Sequence, residues 1–159
     1  MLAPLVYALL NQHWLAAAAC YVVAVITDIY DGKLARKLNQ SSPLGGVLDH
    51  LTDALIVTAG CWCLAKLGLI NSFLPWIITL AFVQYMLDSK ALAGASLKTS
   101  RLGRYNGIGY YILLGTGISA YILPWPALST GVFLAAWLLV ATTVISMGDR
   151  AIMLNRRKN

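Results

Sequence analysis

Long apolar stretches alternate with short polar breaks along the whole chain. The stretches cover residues 14–37, 46–66, 73–94, 105–123 and 127–148. Each is about 20 residues long, the length with which an α-helix crosses the hydrocarbon core of a bilayer. The pattern therefore predicts an all-α protein, a polytopic bundle of membrane helices.

The first ten residues, MLAPLVYALL, are apolar as well. As a helix they would cover only about 15 Å, half of a hydrocarbon core. We interpret them as the second half of a truncated first helix. Because the length suits one domain of several helices, we predict that residues 1–159 form a single transmembrane domain.

The composition supports a membrane environment, since 59% of the residues are hydrophobic and only 11% are charged. Soluble domains carry about 25% charged residues, which this chain lacks for a water-facing surface. The net charge of +6 could indicate nucleic-acid binding. However, the basic residues lie in short blocks between apolar stretches, as in proteins that face anionic lipid headgroups. We expect membrane lipids and no nucleic acid as partners.

The positive charges also predict an orientation. All but Lys66 fall on one side of the predicted helices, the side that the positive-inside rule places in the cytoplasm. We therefore predict a multi-pass protein of the cell's inner (plasma) membrane. The cytoplasmic set is Lys33, Arg36, Lys37, Lys90, Lys98, Arg101, Arg104, Arg150, Arg156, Arg157 and Lys158.

The acidic residues are clustered, since four of the six lie between positions 28 and 53. Residues spaced three and four apart share one face of a helix. Two such stripes follow each other along the chain, joined by a short polar turn. We expect the two helices to be antiparallel neighbours whose acids face each other near the cytoplasmic boundary. The first stripe holds Asp28, Asp31, Gly32, Ala35 and Arg36; the second holds Gly45, Asp49 and Asp53.

Four carboxylates in one place repel each other unless cations lie among them. Hard oxygen ligands suit Mg²⁺, Mn²⁺ or Ca²⁺, and two divalent ions would neutralise four carboxylates and polarise a diphosphate. We predict that Mg²⁺ or Mn²⁺, as two ions, is bound by Asp28, Asp31, Asp49 and Asp53. Pairing with nearby bases or helix capping is the simpler reading of an aspartate, and we accept it for Asp88 and Asp149.

The small residues of both stripes let a ligand or the facing helix approach the backbone closely. Gly32, Ala35 and Gly45 are therefore candidates for close contact with a ligand. Arg36 follows Gly32 by one helical turn and is suited to a phosphate oxygen.

The spacing D-x2-D-G-x2-A-R-x8-G-x3-D-x3-D runs from Asp28 to Asp53, and every fixed position is present. In this segment the sequence resembles the CDP-alcohol phosphatidyltransferase family. The resemblance implies a six-helix membrane fold, a homodimer and an active site at the cytoplasmic side. It also implies metal-dependent transfer of a phosphatidyl group from CDP-diacylglycerol to a small alcohol, with release of CMP, in phospholipid biosynthesis.

The resemblance also implies roles for single residues. The first three acids of the motif bind metal, and Asp53 is the catalytic base for the acceptor hydroxyl, near or at the metal. The CDP group lies against Gly32 and Arg36. Thr27 could contact the nucleotide, although it could equally bond to its own helix backbone.

The acceptor is predicted from the longest polar break, residues 94–103. Lys98, Arg101 and Arg104 are spaced by three and could bind an acceptor phosphate, although plain positive-inside charge explains them equally. The Leu102-Gly103-Arg104 stretch resembles phosphatidylglycerophosphate synthases, so glycerol 3-phosphate is the predicted acceptor. An inositol phosphate or another alcohol is the alternative. Further candidates for the acceptor pocket are Tyr105, Asn106, Tyr110 and Tyr111, while His50 is interpreted as a packing residue.

Two other classes of function compete with a transferase. An inactive membrane protein on the same fold would not need the complete set of acids. A divalent-cation transporter would carry polar groups through the full depth of the membrane. Here the acids lie at one end of the predicted helices, which favours the enzyme.

Overall fold

The computed structural model describes residues 1–37, 43–88, 101–123 and 125–156. Within the helices, the description leaves out the side chains of residues 32–37, 43–44, 46, 49, 88 and 153–156. This part of the chain forms α-helices and contains no strand. The helices are α1 (Leu2–Leu10), α2 (Trp14–Lys37), α3 (Pro43–Lys66), α4 (Phe73–Asp88), α5 (Arg101–Ile122) and α6 (Pro126–Arg156).

The ends of the helices coincide with the polar, proline and glycine positions of the sequence. Pro43 and Pro126 are the first residues of α3 and α6, where a proline loses no helical hydrogen bond. After α1 and α3 the chain reverses through a left-handed residue, Gln12 with φ 58° and Gly68 with φ 78°. Such a residue satisfies the last carbonyls of a helix and ends it.

Two helices extend beyond their predicted limits. α5 begins at Arg101, so Arg101 and Arg104 lie on a helix and not in a loop. α6 continues to Arg156, well past the apolar stretch that ends at 148. In both helices a charged end lies outside the apolar stretch. A helix can carry charged residues where it leaves an apolar environment.

α5 is the central helix of the bundle and packs against α2, α3 and α6. α4 joins α3 and α6, and α1 joins α2 and α3. Among the described residues, α1 and α5 each pack against both α2 and α3. The short turn that we expected to make the two acid-bearing helices direct neighbours lies outside the described residues, and this expectation stays a prediction.

Small residues bring α3 and α5 close together. A Cβ atom at Gly60 would lie 2.6 Å from Leu114, and one at Gly117 would lie 2.5 Å from Leu64. Leu64 and Leu114 are completely buried. These contacts belong to an apolar core that also includes Leu5 and neighbouring residues of α1.

Two helices contain segments long and apolar enough to cross a membrane, Trp14–Asp31 and Pro126–Ile152. Phe73–Leu87 is apolar but shorter. Many large apolar side chains face outward; Leu138, for example, is 65% exposed. An outward apolar surface of this kind agrees with a lipid environment. For the other helices, membrane spanning remains a prediction.

The close contact of α3 and α5 predicts that Gly60→Val destabilises the fold. The added side chain must enter the space of the buried Leu114, and overpacking of this kind costs about 1–3 kcal/mol. For a chain of this size that corresponds to a fall in Tm of roughly 2–12 °C, measured by thermal unfolding in detergent.

Gly131→Val is the matched control, because Gly131 is exposed and a Cβ there meets nothing within 4 Å. Its Tm should stay the same or rise slightly. Equal Tm values for the two variants would show that the α3–α5 contact can absorb the added volume.

Candidate active site

A cavity of about 590 Å³ opens among α2, α3, α4, α5 and α6. We call it the polar cavity, because acidic, basic and hydroxyl side chains from five helices meet around it. The apolar part of its wall includes Val57, Ile78 and Phe82. Its polar lining consists of Asp28, His50, Asp53, Gln84, Tyr85, Arg104, Asn106, Tyr110, Tyr111, Thr143, Ser146 and Arg150.

Two of the four motif acids line this cavity. Asp28 comes from α2 and Asp53 from α3, and both side chains are partly buried. Asp31 is exposed. The carboxylate of Asp49 lies outside the described side chains. The structure thus brings together acids from both predicted stripes.

Tyr111 of α5 connects the two acids. Its hydroxyl donates a hydrogen bond of 2.6 Å to Oδ1 of Asp53. The Asp28 carboxylate is close enough to act electrostatically on the same hydroxyl. On the other side, the hydroxyl of Tyr21 on α2 donates to the backbone carbonyl of Tyr111 at 2.8 Å. α5 therefore bridges the acid-bearing helices at the level of the carboxylates.

The residues predicted to contact a CDP group are only partly described. The surroundings of Gly32 and the side chains of Ala35 and Arg36 are not part of the described structure. Gly45 is exposed on the first turn of α3. The hydroxyl of Thr27 donates to the carbonyls of Val23 and Ala24, at 2.9 and 3.0 Å. This is the intrahelical bonding that we weighed as its alternative.

The acids supply the oxygen donors that Mg²⁺ and Mn²⁺ prefer. Asp28 and Asp53 converge on one partly enclosed cavity, which fits a divalent cation. Among the described side chains, no group of three or more potential metal ligands is found. The four-aspartate site remains a prediction, because Asp49 is not among these side chains.

Two arginines face the same cavity. Arg104 enters from α5 and Arg150 from α6. Arg101, one turn before Arg104, is exposed and does not line the cavity. Lys98 lies outside the described residues. Of the predicted acceptor-binding residues, Arg104 alone is seen at the cavity.

Arg150 has a defined position in this wall. Its guanidinium group lies 4.6 Å from the centre of the Tyr85 ring, within the range of a cation–π contact. His50 meets the same ring edge-on at 5.8 Å. The interpretation of His50 as a packing residue is therefore correct, although the residue also lines the cavity. Its packing helps to hold the Tyr85 ring under Arg150.

A buried polar cluster closes the cavity between α5 and α6. Thr143 contacts the hydroxyl of Tyr110 and accepts a 3.4 Å hydrogen bond from the amide of Asn106. Asn106, Tyr110 and Tyr111 line the cavity as expected, whereas Tyr105 is 70% exposed.

The sequence contains a signal for the wall formed by α6. Thr143, Ser146, Met147 and Arg150 are spaced by three, one and three near the C-terminal end of this helix. Residues at such spacing share one face, and all four line the cavity. We interpreted Arg150 only as a topological charge. Gln84 and Tyr85 had no comparable signal, since they lie among apolar residues on α4.

Comparisons with known proteins show what this sequence is similar to. The chain is 31% identical over 145 residues to a cardiolipin synthase (CMP-forming) / mitochondrial hydrolase fusion protein of Schizosaccharomyces pombe, a match over 79% of this chain and 24% of that protein. It is 37% identical over 65 residues to the CDP-diacylglycerol–glycerol-3-phosphate 3-phosphatidyltransferase of Escherichia coli K12, over 41% of this chain and 33% of that enzyme.

The matching enzyme of Pseudomonas fluorescens, with the same name, is 45% identical over 47 residues, covering 30% of this chain and 24% of that enzyme. The chain thus spans a quarter to a third of the length of these curated relatives. No solved structure matches it. The sequence profile of the CDP-alcohol phosphatidyltransferases matches residues 1–148, and the chain therefore belongs to the CDP-alcohol phosphatidyltransferase family.

Proposed function

We propose that this chain transfers a phosphatidyl group from a CDP-diacylglycerol-type lipid to glycerol 3-phosphate, with release of CMP. The observation that carries the proposal is the polar cavity, which joins Asp28 and Asp53 on one side to Arg104 and Arg150 on the other. Carboxylates suit the metal-bound diphosphate of the donor, and arginines suit the phosphate of the acceptor.

The donor would be held at the carboxylate side. We assign Asp28, Asp31, Asp49 and Asp53 to Mg²⁺ or Mn²⁺, as two ions. Bound divalent ions would neutralise the diphosphate and make CMP a better leaving group. Arg36, Gly32 and Ala35 on α2, together with Gly45 on α3, would contact the CDP group. Thr27 would add a nucleotide contact while its hydroxyl keeps its bond to the helix.

In the transfer step, the acceptor hydroxyl oxygen forms a bond to the phosphorus of the phosphatidyl group. The bond between that phosphorus and the CMP oxygen breaks, and Asp53 takes the hydroxyl proton. A positioned base of this kind contributes about 10²–10⁴-fold to a rate. The position of Asp53 at the cavity wall supports this role.

The acceptor phosphate would lie between Arg104 and Arg150. Arginine suits this task because its planar group donates several hydrogen bonds to a phosphate. The ring of Tyr85 holds the guanidinium of Arg150 in place, so little side-chain freedom is lost when a ligand binds. Lys98 and Arg101 would then contribute to the positive potential near the cavity.

A second candidate is the synthesis of cardiolipin. The similarity to a cardiolipin synthase covers most of this chain. Cardiolipin carries two phosphatidyl groups on one glycerol, so a CMP-forming synthesis requires phosphatidylglycerol as the acceptor. The chemistry at Asp53 would be the same, and only the acceptor would change. An inositol phosphate is a third possible acceptor at the arginine side.

We further propose that the protein is a multi-pass protein of the inner (plasma) membrane, with the polar cavity facing the cytoplasm. Arg104 and Arg150 line the cavity, whereas Lys66 lies in the last turn of α3, at the end away from Asp53, which supports this orientation. We expect a homodimer in contact with membrane lipids.

The acceptor can be tested directly with purified protein in detergent or vesicles. CDP-diacylglycerol and Mg²⁺ or Mn²⁺ are supplied with one acceptor at a time: glycerol 3-phosphate, phosphatidylglycerol, inositol phosphate or serine. We expect CMP and a new lipid with glycerol 3-phosphate. A product with phosphatidylglycerol alone would favour the cardiolipin reaction, and no CMP with any acceptor would favour an inactive protein or a transporter.

The metal mechanism predicts that activity requires a divalent cation and the motif acids. Asp53→Asn keeps the volume of the side chain but removes its charge, so CMP release should fall by about 10²–10⁴-fold. Asp49→Asn and excess EDTA should also abolish turnover. The control is Asp149→Asn, an exposed residue of α6, which should keep normal activity. Near-normal turnover of Asp53→Asn would remove this residue from the mechanism.

The arginine side predicts a selective effect on the acceptor. Arg104→Gln and Arg150→Gln should each raise the KM for glycerol 3-phosphate by roughly tenfold to hundredfold, since a charge-assisted hydrogen bond contributes about 1.5–3 kcal/mol. The KM for CDP-diacylglycerol should change little.

Arg101→Gln provides the comparison, because it removes the same charge one turn away and outside the cavity. Its effect on the acceptor KM should be clearly smaller. If all three variants raise this KM equally, the effect comes from the overall positive potential and not from contact with the phosphate.

A further inference from the structure

We infer that Tyr111 is a positioning residue that orients the Asp53 carboxylate for metal binding. The inference rests on the proposed function, in which these acids bind divalent ions. The motif from Asp28 to Asp53 does not include Tyr111, which follows Asp53 by 58 residues and lies on another helix.

The first support is the bond itself. The Tyr111 hydroxyl donates to Oδ1 of Asp53 at 2.6 Å, the length of a charge-assisted bond between a hydroxyl and a carboxylate. Such bonds are about twice as strong as those between neutral groups. Asp53 is thereby held in one orientation toward the polar cavity, which both residues line.

The second support is the position of Tyr111 between two helices. α5 packs against both α2 and α3, and so joins the two acid-bearing helices. Tyr111 bonds to Asp53 on α3 and is within electrostatic range of Asp28 on α2. Its hydroxyl supplies a hydrogen to a site where two carboxylates would otherwise repel each other.

The third support is the way in which Tyr111 is itself held. Its backbone carbonyl accepts a 2.8 Å hydrogen bond from the hydroxyl of Tyr21. The Tyr21 ring lies directly on Gly115, where a Cβ atom would be 2.9 Å from the ring. α2 and α5 are therefore closely joined one helical turn from Tyr111, and its backbone has little freedom to shift.

A hydrogen bond to a metal-binding carboxylate fixes the direction of the ligand oxygen. Loss of such a bond typically lowers metal affinity or activity by about 10–100-fold. Tyr111→Phe removes the hydroxyl and keeps the ring. We expect a loss of this size in Mn²⁺ affinity, measured by the electron paramagnetic resonance signal of unbound Mn²⁺, and a fall in kcat with little change in the KM for glycerol 3-phosphate.

Tyr121→Phe is the matched control. It removes one hydroxyl and one hydrogen bond from the same helix α5, but the bond that it removes ends on the backbone carbonyl of Leu67, and Tyr121 does not line the cavity. A structural role of the tyrosines would lower the Tm of both variants and leave Mn²⁺ affinity equal. A positioning role lowers Mn²⁺ affinity in Tyr111→Phe, while Tyr121→Phe stays within about threefold of the unmodified protein, well below the loss expected for the carboxylate bond.

A double-mutant cycle tests whether Tyr111 acts through Asp53. In the Asp53→Asn background, removal of the Tyr111 hydroxyl should cause almost no further loss of Mn²⁺ affinity, because the charged partner is gone. Additive losses would overturn the inference, as would a Tyr111→Phe protein with the Mn²⁺ affinity and kcat of Tyr121→Phe.

Different experimental outcomes would overturn the role of Tyr111 and the proposed transferase activity. If the unmodified protein binds Mn²⁺ but releases no CMP, the transferase proposal fails and the Mn²⁺ affinities alone decide the role of Tyr111. If CMP is released normally by Tyr111→Phe, the transferase stands and the positioning role is wrong. An unmodified protein that binds no Mn²⁺ would overturn both.

Discussion

The placement of α5 between α2 and α3 is the constraint on which the site depends. Close contacts hold α5 on both sides, Gly60 against Leu114 toward α3 and Gly115 under Tyr21 toward α2. Any larger side chain at these glycines would have to displace a neighbouring side chain. Because α5 is fixed in this way, Tyr111 lies at the level of Asp53 and can bond to its carboxylate.

This placement also separates the cavity into two electrostatic regions. α2 and α3 contribute the carboxylates, and α5 and α6 contribute Arg104 and Arg150. In a partly enclosed cavity, water screens charges less than in bulk solvent. Carboxylates can then hold cations on one side while arginines attract anionic groups on the other. The arrangement suits a reaction in which a metal-bound diphosphate and an acceptor phosphate must approach without repelling each other.

The helices could be predicted from the sequence because their signals are local. Apolar length located α2 from 14 to 37 and most of α3, and Gly68 with the prolines marked the ends. The spacing of Asp28 and Asp53 within their helices placed both carboxylates on functional faces, and both line the cavity. The predicted start of α5 was wrong. The helix begins at Arg101, in a charged stretch that precedes its apolar part.

The sequence by itself determined the helical composition, the acidic motif and the family. Only the tertiary structure decided which other side chains reach the motif. Arg150 joins Arg104 at the cavity while Arg101 stays outside, and Tyr111 bonds to an acid 58 residues away. The physical reason is that helical periodicity fixes directions only within one helix, whereas the rotation and neighbours of each helix result from packing between helices, here from the glycine contacts of α5.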